Sequence, residues 1–341
     1  TPSPVPVLIF TNQPNQTFQF KATASSNPIS CIVDWGDGTA PATFGALASG
    51  TITASKVMSV ENTIRVYGFT NTSSFISISV NGAKTINPNT YTLNYLSSAT
   101  SIQFGESTTL RNYVTDFSQM TLPSAASFRI NYQGTLINPI NSSNMPPAIL
   151  QAGWSGSFTY SFNQVNSPHS LNLDFSTTSS TGFSGRDNLG LNSVTVNIPI
   201  TYQSINIFNN PQLTTFNLTG LGSQTSFTFY QVYTNNISGA FNYTLPNSTT
   251  SINISSNQHT SFTSNLGSTS LTSISIANNL ITTFTPTALP ASLVTLSIDR
   301  NRITSTLPTL PNSVQTFTCY QNSLTVTSIP NLPNGLITLN L

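Results

Sequence analysis

From Leu293 the chain reads LVTLSIDRNRITSTLPTLPNS, and from Val314 it reads VQTFTCYQNSLTVTSIPNLPNG. The stretch beginning at Leu271, LTSISIANNLITTFTPTALPAS, has the same layout. Aligned, all three follow L-x-x-L-x-L-x-x-N-x-L and end in a Leu-Pro turn. Self-similarity at a fixed period marks stacked structural units. The second apolar position recurs at Ile205, Phe227, Ile252, Ile274, Leu296, Phe317 and Leu339, at intervals of 22, 25, 22, 22, 21 and 22 residues. Two residues later stand Ile207, Phe229, Ile254, Ile276, Ile298, Cys319 and Leu341. Alternation over so few residues describes a half-buried strand. Its repetition stacks the strands in parallel around one core.

Five residues after the first anchor comes an asparagine, at Asn210, Asn257, Asn279, Asn301 and Asn322, with only Val232 breaking the series. The chain leaves its strand there, so backbone groups lose their ladder partners inside a buried turn. An amide side chain offers both donor and acceptor to them, and the stacked amides are expected to form a structural ladder, not a ligand site. Seven residues before the anchor comes Leu-Pro, at Leu245, Leu289, Leu310 and Leu332. Proline donates no hydrogen bond and favours extended chain, so the convex return should be extended. On these motifs residues 201–341 resemble the leucine-rich repeats, in particular the short bacterial L-P-x-L-P type, and the resemblance implies a solenoid with an extended convex side.

A second motif, CIVDWGDGT, spans Cys31 to Thr39. A strand runs into a Gly-Asp-Gly turn, and Phe18 to Ala24 alternates as a strand should. The segment resembles the turn of PKD-type β-sandwiches, with residues 62–68 as the last strand, although the family's usual His-x-Tyr before that strand is absent. The expected organisation is a PKD-like sandwich over 1–69, degenerate β repeats over 70–200 and the solenoid over 201–341. In the middle segment Ile76-x-Ile78, Ile102-x-Phe104 and Phe128-x-Ile130 are spaced by 26 and 26, and Phe158-x-Tyr160 follows 30 later. Leu171-x-Leu173 and Val194-x-Val196 are further strand candidates. A second β domain is the alternative there.

Composition points the same way. Charged residues are 5% of the chain against about a quarter in ordinary domains, while 21 Phe, 11 Tyr and abundant Thr, Ile and Val favour strands. The net charge of +1 and the absence of a basic run exclude a nucleic-acid partner. No apolar stretch is long enough to insert in a membrane. Cys31 and Cys319, far apart in sequence, read as small buried residues. Sequons such as Asn15, Asn71, Asn217 and Asn253 are no more frequent than composition predicts. The first residue is Thr1, as expected of a processed product or part of a longer chain.

No enzymatic machinery is legible. His169 reads as a turn residue, and His259 holds the position of Ile281 and Ile303. No Cys/His group has metal-ligand spacing, and no cofactor or metal is expected. Asp34 and Asp37 raise calcium binding, yet two carboxylates are fewer oxygens than that ion takes, and Asp commonly caps N–H groups in turns. The concave face is mostly small and polar. Phe208, Tyr230 and Tyr320 fall in one column of it, with Asp299 and Arg300 alongside, as a candidate stripe for glycan or protein.

A PKD-like module followed by repeats resembles surface-displayed proteins of bacteria and their phages. The expectation is a non-enzymatic, extracellular adhesion or receptor-recognition protein, on a virion as fibre or decoration or on a bacterial surface, with a cell-surface glycan or protein as partner. The alternative is a structural protein that assembles with itself or with other virion proteins through the open last repeat at Thr338–Leu341. A secreted repeat effector ranks below both, since the charge and catalytic tail of that class are missing.

Overall fold

The computed structural model describes residues 8–24, 29–46, 50–67, 75–86, 100–105, 116–118, 120, 122, 124–133, 143–163, 168–266 and 270–341. The chain is nearly all β. Among the described residues its only helical turns are the 3-10 segments Pro147–Leu150 and Val326–Ser328. It divides into two compact units, Thr1–Ser167 with Leu171–Ser180, and Pro168–Ser170 with Thr181–Leu341.

The first unit contains β1 (Leu8–Asn12), β2 (Gln16–Ala24), β3 (Ile29–Asp34), β4 (Ala42–Ala46), β5 (Gly50–Met58), β6 (Thr63–Tyr67), β7 (Phe75–Asn81), β8 (Ala83–Ile86), β9 (Ser101–Phe104), β10 (Ser127–Gln133) and β11 (Ser157–Asn163). One sheet has the order β4-β3-β6-β1-β8, and β5-β2-β7 belong to another. Alternation along β1 and β2 buries Leu8, Phe10, Phe18, Phe20, Ala22 and Ala24. Rings from both sheets meet: Phe10 lies 5.5 Å from Phe18, Phe18 lies 6.2 Å from Trp35, and Trp35 meets Phe44 edge-on at 6.1 Å. Two antiparallel sheets thus share one aromatic core.

The expected boundary at residue 69 is too early. β7 pairs antiparallel with β2, and β8 pairs with β1, so the two sheets require residues through Ile86. The boundary rested on residues 62–68 as the last strand, and the pairing adds two further strands, β7 and β8, to the sheets. β7 also begins a parallel series through β9, β10 and β11. Its stacked pairs are Ile78/Val80, Ile102/Phe104, Phe128/Ile130 and Phe158/Tyr160. Three of these follow the expected anchors, while the first is displaced by one pair, from Ile76/Ile78 to Ile78/Val80.

The boundary between the units falls within β12 (His169–Asp174). The second unit continues with β13 (Gly182–Arg186), β14 (Leu191–Asn197), β15 (Ser204–Asn210), β16 (Thr215–Thr219), β17 (Phe229–Asn235), β18 (Ser238–Phe241), β19 (Ser251–Asn253), β20 (Gln258–Phe262), β21 (Ser273–Ser275), β22 (Thr283–Phe284), β23 (Thr295–Ser297), β24 (Thr316–Thr318) and β25 (Thr338–Asn340). Successive odd-numbered strands from β13 to β23 pair in parallel, and β24 and β25 continue the ladder. The return path carries two short parallel ladders, one holding β14-β16 and the other β18-β20-β22. Phe241, Phe262 and Phe284 stack along the latter at 5.1 and 5.4 Å. Val194 and Val196 therefore lie on a return strand rather than at repeat anchors. The regular solenoid begins at Gly182, earlier than residue 201, because Phe183 and Gly185 pair with Ile205 and Ile207. Gly185 is compatible with a core position because the Phe183 ring fills the space, standing 3.3 Å from where a Cβ would be.

One coil corrects the sequence reading. The pairing is Ile205 with Tyr230, Ile207 with Val232 and Asn210 with Asn235. Tyr230 and Val232, not Phe227 and Phe229, are the anchors of this repeat. Phe227 takes the first apolar position three residues earlier and is fully buried, whereas Phe229 turns outward and is 49% exposed. The extra residues of the long coil thus lie before its anchor strand. Each fully buried aliphatic anchor contributes about 1.5–3 kcal/mol of hydrophobic stabilisation, which sets the pairing against sliding by three.

Candidate functional site: the outward face of the C-terminal sheet

The turn that ends each anchor strand positions the outward face. Immediately before each turn asparagine stands a residue in the left-handed conformation: Asp187, Asn209, Thr234, Ser256, Asn278, Arg300 and Gln321, with φ between 52° and 58°. The asparagine then enters the coil. Asn279 Nδ2 donates to the carbonyls of Ile254 and Ile276 at 3.0 Å each, and its Oδ1 accepts from the His259 N–H at 3.0 Å. Asn301 repeats this with Ile276, Ile298 and the Ile281 N–H. Asn257 and Asn322 do the same one coil away on either side. In the long coil Asn235, not Val232, holds the position, donating to Ile207 and Tyr233 and accepting from the Asn210 N–H. Asn210 accepts in turn from the backbone N–H of Asn188. The amides replace ladder partners that the turning backbone loses, and all of them but the partly buried Asn322 are buried.

Outward positions alternate with the anchors, and the strand pairing fixes their columns. The column nearest the turns runs Arg186, Phe208, Tyr233, Ser255, Ala277, Asp299, Tyr320. Two of the three aromatics expected in it are there, Phe208 and Tyr320. The third, Tyr230, is 1% exposed and packed edge-on against Phe241 at 5.3 Å, so it belongs to the core and is removed from the candidate face. Burial pushes its phenol well above the ordinary value, as suits a core hydroxyl. Its place is taken by Tyr233, whose ring lies parallel to that of Phe208, 5.2 Å away and 3° from coplanar orientation. Phe229 adds a third outward ring at the other end of the same strand.

Asp299, Arg300 and Tyr320 form the opposite end of the column. Asp299 Oδ1 accepts from Ser297 Oγ at 2.6 Å and Thr318 Oγ1 at 2.9 Å. Its Oδ2 faces Arg300 Nε at 4.0 Å, and the Arg300 guanidinium lies 5.4 Å over the Tyr320 ring. This carboxylate is therefore bound within the protein. Between the two ends the face carries only small side chains, Ser255 and Ala277 in this column and Asn253 and Ser275 beside it. Sequence reading missed Tyr233 and Phe229 through the misplaced anchor. It missed Arg186 because β13 has glycine at an anchor position, although Asp187-Asn188 repeats the pair Asn209-Asn210 and was a usable signal.

Other polar groups are engaged structurally. In the DWGDGT turn Asp34 Oδ1 accepts from the Gly36 N–H at 2.9 Å. Asp37 Oδ1 accepts from Thr39 N and Oγ1, and its Oδ2 meets Lys56 Nζ at 2.5 Å. Those bonds hold the Asp37 carboxyl at about 2, below its usual range. Lys56 is thus the cation paired with this carboxylate. Gly36 has φ +70°, and a Cβ there would stand 2.3 Å from the Thr63 carbonyl oxygen, so the motif's first glycine is needed for close approach to β6. Cys31 and Cys319 are free and buried, and burial pushes the Cys31 thiol up to about 12. Among the described residues no three His, Cys, Asp or Glu side chains are grouped to hold a metal, and no helix is long and apolar enough to cross a membrane.

No protein-family model and no curated protein matches the chain. Among solved structures it is similar to YopM, a leucine-rich effector protein from Yersinia pestis, at 15% identity and a TM-score of 0.36, over 72% of this chain and 77% of that one.

Proposed function

We propose that the outward face of the C-terminal sheet is the recognition surface of a non-enzymatic, surface-displayed adhesion or receptor-binding protein, a virion fibre or decoration protein or a bacterial adhesin. The observation that carries this reading is the Phe208–Tyr233 pair, two stacked rings held outward beside a stretch of small side chains. Folding alone gives no reason to place stacked rings there, since the core beneath is already filled by Ile207 and Val232. Exposed tyrosines dominate many recognition surfaces, and the small neighbours leave the rings accessible. Low charge suits a protein that works outside the cell in varying salt. The N-terminal module is read as PKD-like on the hairpin that its DWGDGT motif closes between β3 and β4, and it serves to present the solenoid.

The test is attachment of the full chain to intact bacterial cells, compared with Phe208→Ala/Tyr233→Ala. Loss of two hot-spot rings should weaken binding roughly thirtyfold or more. A double variant that attaches like the parent, with the same melting temperature, would remove this face from the function.

A further inference from the structure

The unexplained group on the outward face is Arg186. Its Nε is buried and has no hydrogen-bond partner, and among the described residues its guanidinium makes no ion pair. The adjacent acid does not neutralise it: Asp187 Oδ1 instead accepts from Asn209 Nδ2 at 2.6 Å. The residue is half-buried and only its Nε is stripped of water without a partner, and an unpaired buried donor is costly. Such a group calls for an anion.

What surrounds it selects the kind of anion. Arg186 pairs across the sheet with Phe208, and Phe208 with Tyr233. Adjacent strands lie about 4.8 Å apart, so the cation and the outer edges of both rings fall within about 10 Å, the reach of one or two sugar residues. Two residues back along the same strands runs a second column, Ser184, Asn206 and Gln231, in register with the first. It offers one hydroxyl and two amides about 7 Å from the charged column. A cation, two ring edges and a parallel row of neutral donors and acceptors match a ligand with one carboxylate, apolar C–H faces and many hydroxyls. A simple inorganic anion would leave the rings and the amide row unused, and an acidic peptide would not need the ring pair.

On the reading that the outward face is the recognition surface, we infer that β13, β15 and β17 carry a site for a carboxylated sugar residue of a surface glycan, with Arg186 binding the carboxylate and Phe208 and Tyr233 packing against the ring. The Asp299 end of the column is too far away to share that residue and already holds its own cation.

The test uses the full chain, titrated with tetragalacturonate, with its methyl ester and with a tetraglutamate peptide. The acid sugar should bind, and the ester should bind about tenfold more weakly or worse, the worth of one charge-assisted hydrogen bond. Arg186→Gln should erase the difference between acid and ester without changing the melting temperature, and Arg186→Lys should keep part of it. Equal binding of acid and ester, an unaltered Arg186→Gln, or tetraglutamate binding as well as the sugar would each overturn the acidic-sugar site. So would failure of both sugars to bind. In all those cases the attachment assay with Phe208→Ala/Tyr233→Ala still decides the broader reading by itself.

Discussion

The parallel strands of the two units solve one problem with different side chains. In the first unit half of the stacked anchors are aromatic: Phe128 lies 6.1 Å from Phe158 at 12°, Phe158 lies 6.2 Å from Tyr160, and Phe175 and Phe117 join them. Their intervals, 24 from Ile78, 26 from Ile102 and 30 from Phe128, are uneven. In the second unit the anchors from Ile252 to Ile298 are aliphatic, spaced 22 apart, and every turn carries the buried asparagine. A fixed turn device permits a fixed, narrow coil that isoleucine can fill. Coils of varying length enclose varying volumes, and large rings fill them.

This difference predicts where each unit breaks. Phe158 is fully buried among three rings, so Phe158→Ala should destabilise the first unit by about 3–5 kcal/mol. Trp154 stacks on Phe175 at 6.1 Å and reports on that core by fluorescence during urea unfolding. Ile276→Ala in the second unit leaves a smaller cavity and should cost less, near 2–3 kcal/mol. Equal costs would mean that the aromatic core relaxes around its cavity and that ring volume is not what holds the irregular coils.

Next in size is the turn device. Asn279→Ala leaves the His259 N–H without its acceptor in a buried turn, while the carbonyls of Ile254 and Ile276 each lose one of two amide donors and keep those of Asn257 and Asn301. The one group left unsatisfied sets the expected cost at about 1–3 kcal/mol. Asn322 is only partly buried, and water can reach its partners, so Asn322→Ala should cost clearly less. Hydrogen exchange at the His259 and Ile303 amides would read both changes locally. If the two variants proved equally destabilised, the ladder would owe its effect to something other than burial.

How much of this was legible follows from the same contrast. Ile252, Ile274 and Leu296 announced the second unit because the turn asparagine forces a constant interval, and their coils are as the spacing predicts. The long coil misled because Phe227-Thr-Phe229 alternates like a strand. Strict adherence to the asparagine would have chosen Asn235 and placed Tyr230 inside and Tyr233 outside. That coil accounts for the exchange of Tyr230 for Tyr233 and for Phe229 on the candidate face. Phe208, Asp299, Arg300 and Tyr320 stand where the pattern put them. In the first unit no asparagine recurs in the sequence five residues after the anchors, where Ala83, Ser107, Gln133 and Asn163 stand, and β1 pairs with β6 and β8 across up to 76 residues of chain, Phe10 with Ile86, a pairing that no local pattern encodes. Arg186 lacked a signal in its own strand because Gly185 replaces the aliphatic anchor.

A smaller effect belongs to the left-handed residue before each asparagine. Asparagine accommodates positive φ at positions 209 and 278, but Thr234 holds φ 53° with a β-branched side chain. Thr234→Asn should relieve that strain and raise stability by about 0.5–1 kcal/mol. Asn278→Thr, the converse change in a regular coil, should lower it by a similar amount. Urea midpoints that move in the same direction for both variants would show that some other property of the side chain sets the cost.

The smallest effect is invisible at neutral pH. His259 occupies the position of Ile281 and Ile303, all three donating their backbone N–H to the next asparagine. Its ring is buried edge-on to Phe241, and Nδ1 lies 3.3 Å from the Gly239 carbonyl. Burial disfavours the charged ring and lowers its pKa below the ordinary 6.5, with the Gly239 carbonyl opposing in part. Above 6.5 the ring is neutral folded or unfolded, and its titration contributes nothing to the pH dependence of stability. As the pH falls below 6.5 the unfolded chain takes up a proton that the folded chain refuses, so stability declines until the folded pKa is passed. His259→Ile keeps the backbone bond and removes the titration. Its urea midpoint should therefore fall less between pH 7.5 and 5.5 than that of the parent, and equal slopes would place the ring's protonation outside the energetics of this coil.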